Sequence, residues 1–233
     1  MKCIYSLLFF IIPLFLVSQN NTMLPPKGLA MDQKLNELSS QLKTAIRSKD
    51  KTALLTLLAD DITFTYDGEN TKQAFNKYWF SEENEKKFWL IVEKLIAYPG
   101  DYELIDKKSK KYDQNSFVIP YIFNYPEKGE DDDFNIHFIM GDHVNVRSEP
   151  NLQSRVVAQL NYNLVHTQQD NDGNDITSGT VLPNFPEWYK IETPDKKIQG
   201  WVNFKFVHSV YGERIIISRK KNAWIVSVFI SGE

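Results

Sequence analysis

The sequence predicts an α+β protein of two parts, a helix-rich N-terminal α+β domain and a small β-barrel. Apolar residues recur at three- and four-residue steps between residues 35 and 46, which predicts a helix. Short strands rich in aromatic and β-branched residues, separated by turns, fill residues 137–209 and predict the barrel. A β-hairpin is predicted after the barrel, at residues 213–230. We expect this C-terminal hairpin to complete the N-terminal domain.

The composition is that of a globular protein. Of the 233 residues, 42% are hydrophobic, which is enough apolar material to build real cores. The 27 basic and 30 acidic residues give a net charge of -3. A chain with this charge has no overall positive field that would attract nucleic acid or an anionic membrane surface. We therefore expect no nucleic-acid partner.

Residues 1–19 have the pattern of a secretory signal peptide. Lys2 precedes an apolar run at residues 4–17. An uncleaved membrane anchor is the alternative, but the run is shorter than the ~20 residues that span a bilayer, and Pro13 interrupts it. The single cysteine, Cys3, would be removed with this segment, so the mature chain has no disulfide and no thiol chemistry. The prediction is a secreted or periplasmic protein with no membrane span in its mature chain.

Residues 30–125 are assigned to the N-terminal domain. The apolar spacing predicts a helix that ends near Ser48, and Asp50 can cap the short helix that follows it. Alternating residues predict a strand at 62–66. Two more helices are expected around 73–79 and 82–97, and a hydrophobic run at 117–123, which contains Pro120, predicts an edge strand or a bulge.

Residues 126–135 separate the two parts as an acidic linker, because Pro, Gly and clustered charges cannot gain enough from burial to order. The hairpin within residues 211–233 has more apolar residues than a two-stranded ribbon can bury against itself. We expect it to pair beside the strand at 62–66 or the one at 117–123. The barrel, at residues 136–209, would then be an insertion in a discontinuous domain.

The barrel segment contains three separated motifs. Residues 144–150 read Val-Asn-Val-Arg-Ser-Glu-Pro, residues 188–191 read Trp-Tyr-Lys-Ile, and residues 200–202 read Gly-Trp-Val. Their order and spacing resemble the bacterial SH3 domain (SH3b). The residues that carry this resemblance, and that we expect to shape the barrel, are Asn145, Val146, Arg147, Ser148, Pro150 and Gly200.

The SH3b resemblance implies recognition of cell-wall peptide or glycan by aromatic side chains. Neighbouring residues of a strand face opposite sides, and we expect Trp201 in the barrel core and an exposed groove that includes Phe185 and Tyr189. The long loop at 167–187 could cover that groove. The predicted ligand-binding residues are Tyr162, Phe185, Trp188, Tyr189 and Trp201.

The N-terminal part has a weaker resemblance to nuclear-transport-factor-like and cystatin-like α+β domains. It rests on element order and on the sequence of residues 60–64, Asp-Asp-Ile-Thr-Phe. Such domains can house an acid or base in a pocket, here beside Asp60, Asp61 and Tyr66. A surface position for the two aspartates is favoured, because no histidine or tyrosine partner can be assigned to them.

No catalytic motif stands out, and we expect no cofactor and no metal. Residues 170–175 have the oxygen-rich composition of a calcium loop but lack the EF-hand spacing, which favours a solvated hairpin tip. The prediction is an exported, non-catalytic binding protein of the cell envelope whose partner is a cell-wall peptide or glycan, or an envelope protein. A small-molecule or enzymatic pocket in the α+β domain and a purely structural role remain the alternatives.

Overall fold

A computed structural model describes residues 22–106, 108–125, 135–183 and 185–230. The structure is mixed α+β, and of the described residues 24% are helical and 40% lie in strands. It is therefore richer in strand than in helix, because the long ladders of the barrel and of the C-terminal hairpin outweigh the helices. These fractions do not confirm the helix-rich character expected of the N-terminal domain. The predicted signal peptide and the linker residues 126–134 lie outside the described residues.

The N-terminal part contains four helices and three strands before the barrel. They are α1 Gln33–Arg47, α2 Lys51–Thr56, β1 Leu58–Thr63, α3 Lys72–Trp79, α4 Glu85–Ile96, β2 Asp101–Asp106 and β3 Lys111–Ile119. The side chain of Asp50 accepts a hydrogen bond from the amide of Ala53, which confirms the predicted cap of α2. A 3-10 helix at Tyr121–Asn124 follows β3.

Two predicted strands have different bounds. Strand β1 begins four residues before the predicted Ile62 and ends at Thr63. It ends there because the side chain of Asn70 accepts the amides of Phe64 and Thr65, at 2.8 and 3.2 Å, and so takes the place of a strand partner. The strand predicted at 117–123 instead ends before Pro120, which cannot donate to a ladder.

The barrel and the C-terminal hairpin supply ten further strands. They are β4 Ile136–Ile139, β5 Val144–Arg147, β6 Val156–Leu160, β7 Leu164–Thr167, β8 Thr177–Leu182, β9 Phe185–Glu192, β10 Gln199–Asn203, β11 Val207–Ser209, β12 Arg214–Lys220 and β13 Ala223–Ile230. The barrel strands follow the order β11-β4-β7-β9-β10-β5-β6, and β8 pairs with β9. The Trp-Tyr-Lys-Ile and Gly-Trp-Val motifs lie on β9 and β10, which form an antiparallel hairpin in which Val202 faces Tyr189.

The C-terminal hairpin lies in the middle of the N-terminal sheet. The strand order is β1-β13-β12-β3-β2. Strand β13 runs parallel to β1, and β12 pairs antiparallel with β3, where Ile217 faces Phe117. The hairpin thus pairs with both of the strands that the sequence offered. Strand β3 is interior because β12 and β2 flank it, so the expected edge strand is wrong.

Aromatic rings fill the space between the helices and this sheet. The ring of Phe229, from β13, packs edge-on against Trp79 at 5.3 Å and against Phe75 at 6.0 Å. It also lies 5.3 Å from the ring of Phe88 on α4. One side chain of the C-terminal hairpin therefore connects the sheet to both α3 and α4.

The barrel is held against the N-terminal part by apolar and polar contacts. Residues of the 3-10 helix and of the outer face of β4, Tyr121 and Phe138 among them, share one buried apolar cluster. At the end of α4, Lys94 Nζ donates to the carbonyl of Val207 at 2.9 Å. Close to it, the Tyr98 hydroxyl donates to the carbonyl of Lys205 at 2.7 Å. Both bonds connect residues that are more than 100 positions apart in the chain.

His208 is a buried titratable residue in this joint. Its ring packs edge-on against Tyr98 at 4.7 Å, and within the described residues its Nε2 has no hydrogen-bond partner. Burial, with Lys94 and His137 close by, holds the pKa of His208 well below its usual value, although its contact with the Lys205 carbonyl opposes this. The folded state therefore resists protonation more strongly than the unfolded state does.

We expect acid to weaken the protein through His208. The pKa of His208 is lower in the folded state than in the unfolded state, where it is about 6.5. The stability that this group contributes is therefore fully present above a pH of about 6.5 and is lost as the pH falls below that value. The free energy of unfolding should fall by up to about 1.4 kcal/mol per pH unit from this group. Urea denaturation at pH 7.5 and 5.5 should show a smaller loss in His208→Gln than in the wild type. Exposed His143→Gln is the control, and equal losses in all three proteins would contradict the assignment.

Candidate functional site

The aromatic residues of the barrel differ in burial, and only those that are not fully buried are available for binding. Val202 and Ile191 are buried in this core, and Tyr189 packs against it while remaining half-buried. Trp201, the neighbour of Val202, lies on the outer face with Arg147 and Lys190 as its cross-strand partners. The expected core position of Trp201 is therefore wrong, because a strand that points one residue inward points the next one outward. Trp188 is 3% exposed.

The residues of the Asn-Val-Arg-Ser motif shape the barrel. Arg147 Nη1 donates to the carbonyl of Ser154 at 2.7 Å and so ties β5 to the loop before β6. The amide of Ser148 bonds to the carbonyl of Arg155 at 2.9 Å, and Val146 is fully buried. A Cβ at Gly200 would lie 2.5 Å from the carbonyl oxygen of Arg147. Glycine is required there because the two backbones approach so closely.

We expect Arg147→Ala to lower the free energy of unfolding by about 1 to 3 kcal/mol, because the Ser154 carbonyl loses a charge-assisted hydrogen bond. Thermal and urea unfolding measure the change. Arg147→Lys keeps the charge and should recover part of the loss. Unchanged unfolding together with lost ligand retention would instead place Arg147 in recognition.

Two of the predicted ligand-binding residues meet in one depression. Phe185 and Tyr189, both on β9, line a depression of about 340 Å³. The other lining residues come from β8, the loop before it and the start of β9, and are Asp175, Thr177, Gly179, Thr180 and Pro186. Tyr162 lies elsewhere, in the turn before β7, where its carbonyl accepts the amide of Met23. The sequence singled out the loop but not these polar residues, because a loop gives no periodic signal.

The depression combines aromatic rings with a donor and an acceptor. Burial raises the pKa of Tyr189 to about 12, and the carboxylates of Glu213 and Asp175 add to this effect. The hydroxyl therefore keeps its proton at neutral pH. Asp175 Oδ1 accepts a hydrogen bond from Thr167 Oγ1 at 2.7 Å, which fixes this carboxylate. The arrangement can bind a polar ligand. Because the Tyr189 hydroxyl keeps its proton at neutral pH, it can donate a hydrogen bond but cannot act as a base.

His137 lies behind Tyr189, with the two ring centroids 6.2 Å apart. Its Nδ1 donates to the carbonyl of Asn135 at 2.8 Å. Burial lowers the pKa of His137, and this effect is opposed by the bond to Asn135 and by the charge of Asp175. The imidazole is therefore held neutral in one orientation, as a structural neighbour of the depression.

The loop that leads to β8 has a fixed turn. Asp170 Oδ1 accepts the amides of Asp172 and Asn174, each at 2.9 Å. The Asn174 amide is the main reason that the pKa of Asp170 is lowered. The loop is thus a capped hairpin tip, as the sequence favoured. Within the described part of the chain, His, Cys, Asp and Glu residues form no group of three or more that could hold a metal ion.

The carboxylates proposed for an enzymatic pocket are at the surface. The side chain of Asp60 is 97% exposed and pairs with Lys72 at 2.8 Å. Asp61 pairs with Lys220 at 2.7 Å, and this lysine lowers the pKa of Asp61. A buried acid or base would need the opposite shift. The depression beside Asp60 is an open one of about 460 Å³.

Comparisons with known proteins agree with the barrel. The family model of the bacterial SH3 domain matches residues 142–208, and no curated protein matches the chain. A crystal structure of a nuclear-transport-factor-2-like (NTF2-like) protein of unknown function from Pseudomonas putida KT2440 shares 10% identity. It covers 87% of this chain and 89% of its own, with a TM-score of 0.24, which carries no argument about the fold.

None of the described helices is both long and apolar enough to cross a bilayer. The SH3b resemblance rested on the Asn-Val-Arg-Ser motif and on the two aromatic strands, and all three lie within the matched residues. The motif residues make the barrel contacts described above, and the family match covers the same strands. Residues 142–208 of this chain are a bacterial SH3 domain.

Proposed function

We propose that the protein is an exported, non-catalytic binding protein of the cell envelope that binds a short cell-wall peptide. The proposed site is the depression between β8 and β9. One observation carries the proposal: in a bacterial SH3 domain, the aromatic residues Phe185 and Tyr189 and the acidic residue Asp175 line one depression. The signal-peptide pattern of residues 1–19 supports export.

The chemistry of the depression favours a peptide. Aromatic rings provide flat apolar contact, the Tyr189 hydroxyl can donate to a peptide carbonyl, and Asp175 can accept from an amide or an ammonium group. A volume of about 340 Å³ accommodates a few residues rather than a folded partner.

The site is also pre-organised, which reduces the ordering cost of binding. Strand β8 pairs with β9, where Thr177 faces Tyr189 and Ser178 faces Trp188. The Asp170 turn holds the loop that leads to β8. The depression therefore has a rigid floor and a fixed rim before any ligand binds.

Co-sedimentation with purified peptidoglycan tests the proposal. The mature chain should show saturable retention that soluble wall peptides compete away. Phe185→Ala should weaken retention about tenfold through loss of a ring contact, and Tyr189→Phe should weaken it through loss of the donor. Trp201→Ala, on the outer face of the barrel, is the matched aromatic control and should bind as the wild type does. No wild-type retention, or equal losses in all three variants, would contradict the proposal.

A protein partner is the second candidate, favoured by a different surface. A groove of about 720 Å³ lies between α4 and β8 and is lined by four apolar residues, Trp89, Leu90, Val181 and Leu182, and by five charged ones, Lys49, Glu82, Glu85, Lys86 and Glu93. Val181 is 37% exposed there.

Val181→Asp should leave peptidoglycan retention unchanged if the first proposal holds. The second function would be favoured by two results together. Phe185→Ala, Tyr189→Phe and Val181→Asp would all keep normal retention on peptidoglycan, and Val181→Asp would lose binding to an envelope protein partner.

A further inference from the structure

The β2–β3 ribbon extends beyond the N-terminal sheet. Strand β12 pairs with β3 only over Ser116–Ile119. The first half of β3, residues 111–115, therefore pairs with β2 alone, for example where Tyr112 faces Leu104. This half of β3 is mostly exposed, whereas Ser116 to Ile119 are buried. The distal ribbon, residues 103–115, is thus a two-stranded arm with little core of its own.

Charge is separated along this arm. Its tip, residues 105–112, contains four lysines, at positions 107, 108, 110 and 111, against the single aspartate Asp106. The tip therefore has a net charge of +3 in a chain whose net charge is -3. The acidic residues of the arm's base are engaged locally: Glu103 accepts from Ser116 Oγ at 2.6 Å, and Asp113 accepts the amide of Asn115 at 2.9 Å.

Three of the tip lysines, Lys108, Lys110 and Lys111, have no ion-pair partner among the described residues. Asp106 holds the turn, because its carboxylate accepts the amides of Lys108 and Ser109 and the Ser109 hydroxyl, at 2.9, 3.3 and 2.7 Å. Lys108, Lys110 and Lys111 are exposed. Among the ion pairs of the described residues, none involves these three lysines.

Two apolar side chains are exposed beside the lysines. Ile105 is 54% exposed and Tyr112 is 38% exposed. Single exposed apolar residues are ordinary on a protein surface, but these two share one tip with the uncompensated lysines. Lysines with adjacent aliphatic and aromatic groups are the combination that binds the interface of an anionic bilayer.

The tip and the barrel lie at opposite ends of β3. This strand runs from Lys111 at the tip to Ile119, and the 3-10 helix directly after it packs with Phe138 of the barrel. The eight residue steps of β3 correspond to about 26 Å at ~3.3 Å per residue. The tip therefore lies about one strand length from the 3-10 helix that contacts the barrel.

We propose that the tip of the β2–β3 ribbon binds the anionic surface of a phospholipid bilayer. Lys108, Lys110 and Lys111 contact lipid phosphates, while Ile105 and Tyr112 enter the interfacial region. The protein would then sit on the membrane and hold its SH3 domain toward the wall. From the whole-chain charge of -3 we expected no attraction to an anionic membrane. A net charge does not show how charge is distributed, and the tip is locally positive. The exposed apolar pair favours a bilayer over a soluble phosphate polymer, which lysines alone would bind equally well.

Vesicle co-sedimentation of residues 20–233 tests the proposal, because the apolar run of residues 4–17 would bind bilayers by itself. Binding should occur on phosphatidylcholine vesicles with 30% phosphatidylglycerol, and should be lost on pure phosphatidylcholine and in 500 mM salt. Replacing the four tip lysines with glutamine should weaken binding about fivefold per lysine, so at least a hundredfold in total. Ile105→Ser with Tyr112→Ser should weaken it less.

A matched control removes the same charge from scattered exposed positions, with glutamine at Lys34, Lys77, Lys205 and Lys221. This variant should keep vesicle binding. An equal loss in the control, or no vesicle binding by the unmodified chain, would overturn the proposal. Binding of the tip to soluble polyphosphate but not to vesicles would also overturn it, in favour of a polymer ligand. Peptidoglycan retention by the tip variant reports separately on the site between β8 and β9.

Discussion

Deleting the chain after Ser209 should unfold the N-terminal α+β part while the barrel stays folded. The deletion removes β12 and β13, which lie between β1 and β3. It leaves β1 without its strand partner and exposes one side of β3. Buried side chains of the hairpin that contribute to the N-terminal core, such as Ile217 and Phe229, are lost with it. We therefore propose that residues 30–125 and 211–233 are one folding unit into which the barrel is inserted.

Circular dichroism and amide hydrogen exchange measure this outcome. Helical signal from α1 and α4 should be lost, whereas amides of the barrel core, around Val165 and Val202, should remain protected. Replacing residues 135–210 with a short glycine-serine linker is the converse control and should keep the N-terminal unit folded. The guanidinium carbon of Arg214 lies 4.6 Å from the centre of the Phe123 ring, so the chain before the barrel and the chain after it approach each other at these two residues. A cooperative N-terminal transition in the truncated chain would contradict the proposed unit.

Phe229→Ala should cost about 3 to 5 kcal/mol of unfolding free energy. Phe229 is 2% exposed, and its ring packs edge-on against Trp79 and Phe75. Its loss would leave a cavity among rigid rings that cannot collapse to fill the space. Urea denaturation measures the loss, and retention on peptidoglycan reports whether the barrel still binds.

Phe206→Ala is the matched control for this substitution. Phe206 lies beside β11 in the barrel part and is 38% exposed, so its removal should cost much less than that of Phe229. A loss below about 1 kcal/mol for Phe229→Ala, or equal losses for the two variants, would contradict a core that connects the terminal hairpin to the helices.

Local signals were enough to predict several elements. The apolar spacing of α1 was right because Leu35, Leu42 and Ile46 are all buried on one face. The β9–β10 hairpin also has its predicted place, since aromatic strands around a polar turn specify their own pairing. These elements depend on residues close together in the chain.

Elements that depend on distant partners were harder to predict. Strand β2 and the first half of β3 were missed because the charged tip at 105–112 obscures the alternation of a strand. Alternation placed Trp201 and Val202 on opposite faces but could not say which face was the core. The depression was predicted only in part. Asp175 and Tyr189 line it together because β8, which lies within the predicted long loop, pairs with β9.

Backbone amide NMR of the isotopically labelled mature chain, titrated with soluble wall peptides, tests the central claim most directly. The account predicts saturable shift changes concentrated at residues 175–180 and 185–189, the two sides of the depression, with little change around Arg147 and Trp201 on the outer face. Changes centred on the outer face, or none at millimolar peptide, would contradict the claim that this SH3 domain binds its ligand between β8 and β9.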